Sequence, residues 1–241
     1  MTPSPTLEIC VDDAAGLAAA IAGGADRIEL CSALALGGLT PTPGLMALAA
    51  KAPIPVYAMI RPRPGDFVFS PDDVATMETD IDTARSAGLA GVVLGATRPD
   101  GSLDIATLEG LTARAAGLGL TLHRAFDLAP DFPAAIDTAI ALGFERILTS
   151  GGAPRAIDGL DALRAMIAHA AGRIAIMPGS GVAADNARSF LALGATELHA
   201  SAGRALEIPA GRAADLGYVA PGMKRTDADL VAALKRAMTA A

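Results

Sequence analysis

The sequence predicts a single (β/α)8 barrel, and three observations carry that expectation. Eight short strand-like runs recur along the 241 residues, with room for one helix between each and the next. No Gly-rich dinucleotide fingerprint follows the first run, as it would in an open doubly wound sheet. The helix-to-strand junctions also repeat: Gly24-Ala25-Asp26-Arg27-Ile28, Gly88-Leu89-Ala90-Gly91-Val92, Gly143-Phe144-Glu145-Arg146-Ile147 and Gly194-Ala195-Thr196-Glu197-Leu198. Each sets a glycine where a helix ends, ahead of the second, fourth, sixth and eighth runs. A two-unit β/α repeat occurring four times suits a closed barrel, which typically takes about 250 residues.

The first two strands, Leu7–Val11 and Arg27–Cys31, carry one phrase written twice, Leu7-Glu8-Ile9-Cys10 and Ile28-Glu29-Leu30-Cys31. Alternate residues share a face in a strand, so each presents a carboxylate and a thiol on one side. The alanine-rich stretch from Asp12 to Gly24 is long enough for one crossover helix, which makes the two strands parallel neighbours. The third strand, Val56–Arg61, runs into Pro62-Arg63-Pro64-Gly65-Asp66. A helix over Asp72–Ser86 follows, with Pro71 and two acids at its start and Gly88 as its stop. Next come the fourth strand, Gly91–Gly95, and the fifth, Leu120–Ala125, which carries His123 and Arg124 ahead of Asp127. The sixth, Arg146–Thr149, ends in Ser150-Gly151-Gly152 and precedes a helix over Ile157–Ala170, with His169 on its surface. The seventh, Ile174–Met177, ends in Pro178-Gly179-Ser180-Gly181. The eighth, Thr196–Ala200, carries His199. Residues 1–241 read as one domain, 1–6 being an N-terminal tail and 203–241 a C-terminal segment with a final helix.

Composition removes several function classes. A hydrophobic fraction of 52% supports a large core, and no apolar run approaches the roughly 18 residues of a membrane span. The first residues lack a basic segment and an apolar stretch, so a cytoplasmic location is expected. Net charge is −7, aromatic residues make up 3%, and the three lysines are scattered, which argues against nucleic-acid binding. None of Lys51, Lys224 and Lys235 falls on a strand end, so Schiff-base aldolase chemistry is not expected. Two cysteines in a chain of this size are packed thiols or soft-metal ligands rather than a disulfide framework.

Function in such barrels sits at the C-terminal strand ends, where the polar residues of this chain gather. Glu8, Glu29, Arg61, Arg63, His123, Arg124, Asp127 and His199 are the candidate catalytic residues. The arginines are anion clamps, His123 or Glu29 is the acid or base, and Asp127 orients a neighbour. Gly179, Ser180 and Gly181 are the candidate phosphate or anion loop. The bland alternatives are core packing for Cys10 and Cys31, structural ion pairing for the glutamates and arginines, and a tight turn for Gly179–Gly181.

Several phrases, in this order and spacing, resemble the CutC family, often called copper homeostasis proteins. They are Leu7-Glu8-Ile9-Cys10-Val11-Asp12, Gly23-Gly24-Ala25-Asp26-Arg27-Ile28-Glu29-Leu30-Cys31, Met59-Ile60-Arg61-Pro62-Arg63, Gly65-Asp66-Phe67, His123-Arg124-Ala125-Phe126-Asp127, Leu142-Gly143-Phe144-Glu145-Arg146-Ile147-Leu148-Thr149-Ser150-Gly151 and Met177-Pro178-Gly179-Ser180-Gly181. The resemblance spans roughly Leu7 to Ser201 and implies a TIM-like barrel. It also implies a cytosolic protein associated with copper tolerance, with Cu(I) bound at Cys10 and Cys31. Such a shared ion requires the two sulfurs to lie roughly 4–5 Å apart on neighbouring strands. The alternative is an isomerase- or lyase-type enzyme acting on a small anionic or phosphorylated substrate. The expected partner is accordingly a copper ion or a small anion, with homo-oligomerisation left open.

Overall fold

The computed structural model describes residues 4–207, 211–218 and 222–239. Its centre is an eight-stranded parallel sheet rolled into a barrel: β1 (Thr6–Val11), β2 (Arg27–Leu30), β3 (Val56–Met59), β4 (Gly91–Leu94), β5 (Gly119–Leu122), β6 (Arg146–Thr149), β7 (Ala175–Pro178) and β8 (Glu197–Ala200). Hydrogen-bonded order runs β7-β6-β5-β4-β3-β2-β1-β8. β7 and β8 then lie side by side without a ladder between described residues. Pro178 supplies a reason. Ala175 and Gly179 donate their N–H groups to Glu145 and Thr149 on the β6 side, so by alternation residues 176 and 178 face β8. At 178 there is no N–H to give.

Seven α-helices cover the barrel: α1 (Ala14–Ala22), α2 (Pro43–Ala49), α3 (Pro71–Ser86), α4 (Ile105–Arg114), α5 (Phe132–Ala141), α6 (Leu160–Ala170) and α7 (Ala187–Leu191). α3 starts as expected, with Pro71 in the first turn and a reciprocal capping box between Ser70 and Asp73. α6 starts later than expected, because Ala156–Gly159 forms a 3-10 turn before it. The outward strand residues Leu7, Ile9, Val11, Ile28, Leu30, Val92, Leu94, Ile147 and Leu198 are fully buried against these helices. Each contributes about 1.5–3 kcal/mol by leaving water.

The inward residues are of another kind. The four repeat glycines, Gly24, Gly88, Gly143 and Gly194, all have φ between +82° and +96°, the left-handed turn that ends a helix. The residue three positions on from each is the first of an even strand: Arg27, Gly91, Arg146 and Glu197. Alternate strands of such a barrel contribute one four-residue layer. Here that layer is a charged floor with one glycine gap, and Tyr57 fills the gap, since a Cβ at Gly91 would collide with its ring.

The C-terminal segment adds an antiparallel pair, β9 (Gly203–Ala205) with β10 (Lys224–Thr226), a short α8 (Arg212–Asp215) and α9 (Ala228–Thr239). α9 packs on α1 and α7, where Val231 lies over Gly23 and Lys235 Nζ bonds Asp26 at 2.5 Å. Among the described residues, no helix is long and apolar enough to cross a membrane.

Candidate functional site

The floor is an ion-pair network. Arg27 bonds Glu8 Oε2 through Nε at 2.5 Å and also bonds Glu197. Arg146 bonds Glu197 through Nε at 3.0 Å and Thr121 Oγ1 through Nη1 at 3.0 Å. Both guanidiniums flank the Tyr57 ring, at 5.6 Å and 4.9 Å from its centre. Charges this deep persist only when paired.

Above the floor the network reaches chemistry. Glu8 Oε1 meets His199 Nδ1 at 2.7 Å, and His199 Nε2 lies 3.8 Å from Glu29 Oε2. Glu29 accepts from the Cys31 thiol at 3.5 Å, and its Oε1 is buried with no hydrogen-bond partner among the described residues. One ligand atom each from Cys10, Glu29 and His199 lies within 4.8 Å of the others, all three residues buried. The protonation preferences diverge. Burial alone would raise Glu8, but the charge of Arg27 and the hydrogen bond with His199 hold it at about 2. Burial pushes the neighbouring Glu29 upward. Burial disfavours the His199 cation, yet the acids and Cys10 around it keep its pKa well above the usual histidine range. Burial and Glu29 push the Cys31 thiol up.

A cavity of about 680 Å³ opens over this cluster at the C-terminal strand ends. Cys10, Glu29, Arg61, His123, Arg124, Ser180, Gly181 and His199, all expected site residues, line it. Glu8 sits beneath it, behind His199. Arg63 is not brought in: it is turned to Asp66 at 2.9 Å, Asp73 at 3.1 Å and the Val68 carbonyl at 2.7 Å, in the loop before α3. Asp127 stands behind the wall. It bonds Arg124 Nε at 2.8 Å, accepts from the backbone N–H groups of Ser150 and Gly152, and so ties the β5 loop to the β6 loop.

Gly179 is a packing position, where a Cβ would crowd His199 Cβ at 3.3 Å. Ser180 and Gly181 have φ of +79° and +78°. The Ser180 hydroxyl donates to the Pro154 carbonyl at 2.8 Å. Cys31 lies in an apolar cluster with Tyr57, Met59 and Val93. The register pairs Cys10 with Glu29, so Cys31, two residues further on and just past β2, is roughly 8 Å from Cys10 between Cα atoms by strand geometry.

Sequence reasoning missed five contributors. Arg27, Arg146 and Glu197 were visible only as junction residues, and their common place in the repeat was the signal for a shared layer. Phe67, from the loop after β3, packs on the His123 ring at 4.8 Å. Lys224, set aside as remote, lines the cavity from β10 together with Arg225. It is exposed and reaches the rim from outside the eight strands. No local signal in the C-terminal segment announced that return.

The arrangement is thus a buried thiol–imidazole–carboxylate cluster under a polar cavity in a nearly closed barrel, and the chain and its fold have relatives among known proteins. A CutC family protein from Rhizobium meliloti (strain 1021) is 56% identical over 236 residues, covering 98% of this chain and 96% of the relative. The structure of a CutC protein from Streptococcus agalactiae, named as one of copper homeostasis, superposes with a TM-score of 0.78 at 33% identity, over 82% of this chain and 98% of that one. A phosphoribosylanthranilate isomerase monomer from Thermotoga maritima, at 13% identity and a TM-score of 0.61 over 98% of this chain and all of that one, shares the barrel alone. The CutC family itself matches residues 5–204, the stretch that builds the barrel and all of the cluster beneath the cavity, and the chain belongs to that family.

Proposed function

We propose that the protein is a cytoplasmic copper homeostasis protein that binds Cu(I) at the barrel mouth. Cys10 and Cys31 supply thiolates, and His199 and Glu29 complete the site. The observation that carries this reading is the Cys10–Glu29–His199 cluster, whose ligand atoms lie within 4.8 Å of one another in a buried setting. Thiolate and imidazole are the donors that suit copper. The similarity to a structure named for copper homeostasis supports the choice of metal.

Competition titration with a Cu(I) chelator tests it. Cys10→Ser, which removes a direct ligand, is expected to weaken binding by more than the roughly 10–100-fold that losing an outer-sphere partner costs, and Cys10→Ser with Cys31→Ser to abolish it. Unchanged affinity in the double variant overturns the reading.

A second reading, an isomerase- or lyase-type enzyme, rests on a separate observation. Glu8 is held ionised and Glu29 is pushed toward its protonated form on either side of His199, under a cavity much larger than an ion. Carboxyl groups driven apart in this way mark acid and base roles. In it Glu29 and His199 exchange protons with the substrate, Glu8 orients His199, Arg61, Arg124 and His123 face the substrate, and Ser180 and Gly181 bound its far end.

A further inference from the structure

Arg61 and His123 stand on the cavity wall with hydrogen-bond donors that no group among the described residues accepts. Arg61 follows β3 and is 6% exposed. Its Nη1 donates to the carbonyls of Leu36 and Gly38, each at 3.1 Å, and its Nη2 to that of Gly65 at 2.8 Å. Its buried Nε has no hydrogen-bond partner among the described residues. Three backbone carbonyls thus fix the guanidinium in place without neutralising it. The neighbouring strand-end arginines meet acids: Arg63, outside the cavity, meets Asp66 and Asp73, and Arg124, on its wall, meets Asp127. Among the described residues no carboxylate pairs with Arg61. A buried cation left so is costly unless an anion arrives.

His123 caps the turn after β5 and is 3% exposed. Its Nδ1 accepts from the Ala125 N–H at 3.2 Å, which leaves the proton of the neutral ring on Nε2. That atom is buried and has no hydrogen-bond partner among the described residues. Burial, and then the charge of Arg61, press the ring's pKa down to about 3, so it stays a neutral donor across the working range. Phe67 joins the two residues: its ring lies 4.9 Å from the Arg61 guanidinium carbon and 4.8 Å from the His123 ring centre. All three line the same cavity, with Met59 and Leu148 as apolar wall.

We propose that Arg61 and His123 form an oxyanion-binding subsite that takes the carboxylate or phosphate of a small organic molecule seated in the cavity. The fixed Arg61 Nε–H supplies a charge-assisted bond, and the His123 Nε2–H supplies a second, neutral one. A cavity of about 680 Å³ falls in the range of small-molecule sites. The inference goes beyond copper and rests on neither thiol, so a failed copper titration and a failed anion titration are independent results.

The test is an NMR titration of metal-free protein with inorganic phosphate and, separately, with acetate, following the Arg61 Nε–H and His123 Nε2–H resonances. Saturable shifts of both with either probe are the expected result. Saturation by phosphate alone assigns a phosphate ester, and by acetate alone a carboxylic acid. His123→Phe, which keeps a ring against Phe67, should weaken binding about tenfold, the loss of about 1.4 kcal/mol. Arg61→Met should abolish it. Because Arg61 also holds two loops, the wild-type resonances and His123→Phe decide the matter if Arg61→Met does not fold. Resonances unmoved by both probes, or equal affinity in His123→Phe, overturn the proposal.

Discussion

Arg27→Met is expected to destabilise the fold by about 3–5 kcal/mol, the cost of stranding a buried charge. Arg27 is the shared partner of Glu8 and Glu197 in the barrel floor. Glu197 keeps Arg146, whereas Glu8, fully buried, keeps only His199. The pH dependence identifies the cause. Glu8 titrates at about 2 in the fold against an ordinary 4.5, a difference worth about 3 kcal/mol. A carboxylate depressed in the fold stabilises it fully above about pH 4.5, and that contribution is lost as pH falls toward 2. Without Arg27 the folded pKa rises, so the acid limb of the stability curve should move to higher pH and shrink. Urea unfolding at pH 7 and at steps between pH 5 and 2 measures both effects. A loss under 1 kcal/mol at pH 7, with an unmoved acid limb, contradicts the network as drawn.

Gly119→Ala is expected to cost about 1–3 kcal/mol through overpacking. A Cβ there would run onto the Tyr57 hydroxyl and lie 2.7 Å from Cζ and 2.8 Å from Cε1. Tyr57 has nowhere to go, because its hydroxyl donates to Glu145 at 3.0 Å and two guanidiniums bracket its ring. All three of these contacts belong to one side chain, so Tyr57→Leu in the same background should recover part of the loss. A double-mutant cycle by thermal or urea unfolding reads the coupling, expected at about 1 kcal/mol or more. Additive losses would place the strain elsewhere.

Much of the barrel was legible in the sequence because its signals are local. The alternation in Leu7-Glu8-Ile9-Cys10 sends Leu7 and Ile9 into the helix layer and Glu8 and Cys10 inward, as period two requires. Gly24, Gly88, Gly143 and Gly194 announce helix ends because the left-handed turn is a property of a few consecutive residues. Strand ends ran shorter than read: Cys31, Arg61 and His123 lie just past β2, β3 and β5. Cys31 and His123 still donate their N–H groups to the Val11 and Leu94 carbonyls of the neighbouring strands, whereas the Arg61 N–H turns to Thr40 Oγ1 and its side chain to three loop carbonyls.

From the sequence alone followed the eight strands, their parallel order and the gathering of acids, thiols and imidazoles at one barrel end. Tertiary structure alone decided who meets whom. Barrel closure set Glu8 against His199 across 191 residues of chain, and register put Glu29 rather than Cys31 directly across from Cys10. Arg63 turned outward because Asp66 and Asp73 offered nearby charge, while Arg61, two nitrogens of its fork held by three backbone carbonyls, stayed inside with no carboxylate partner among the described residues. Lys224 reached the rim only because α9 docks on α1 and α7 and draws β10 back over the mouth. Alternation and turn formation are settled within a few residues, but pairing between strands and the capture of a charge depend on groups brought together only when the barrel closes.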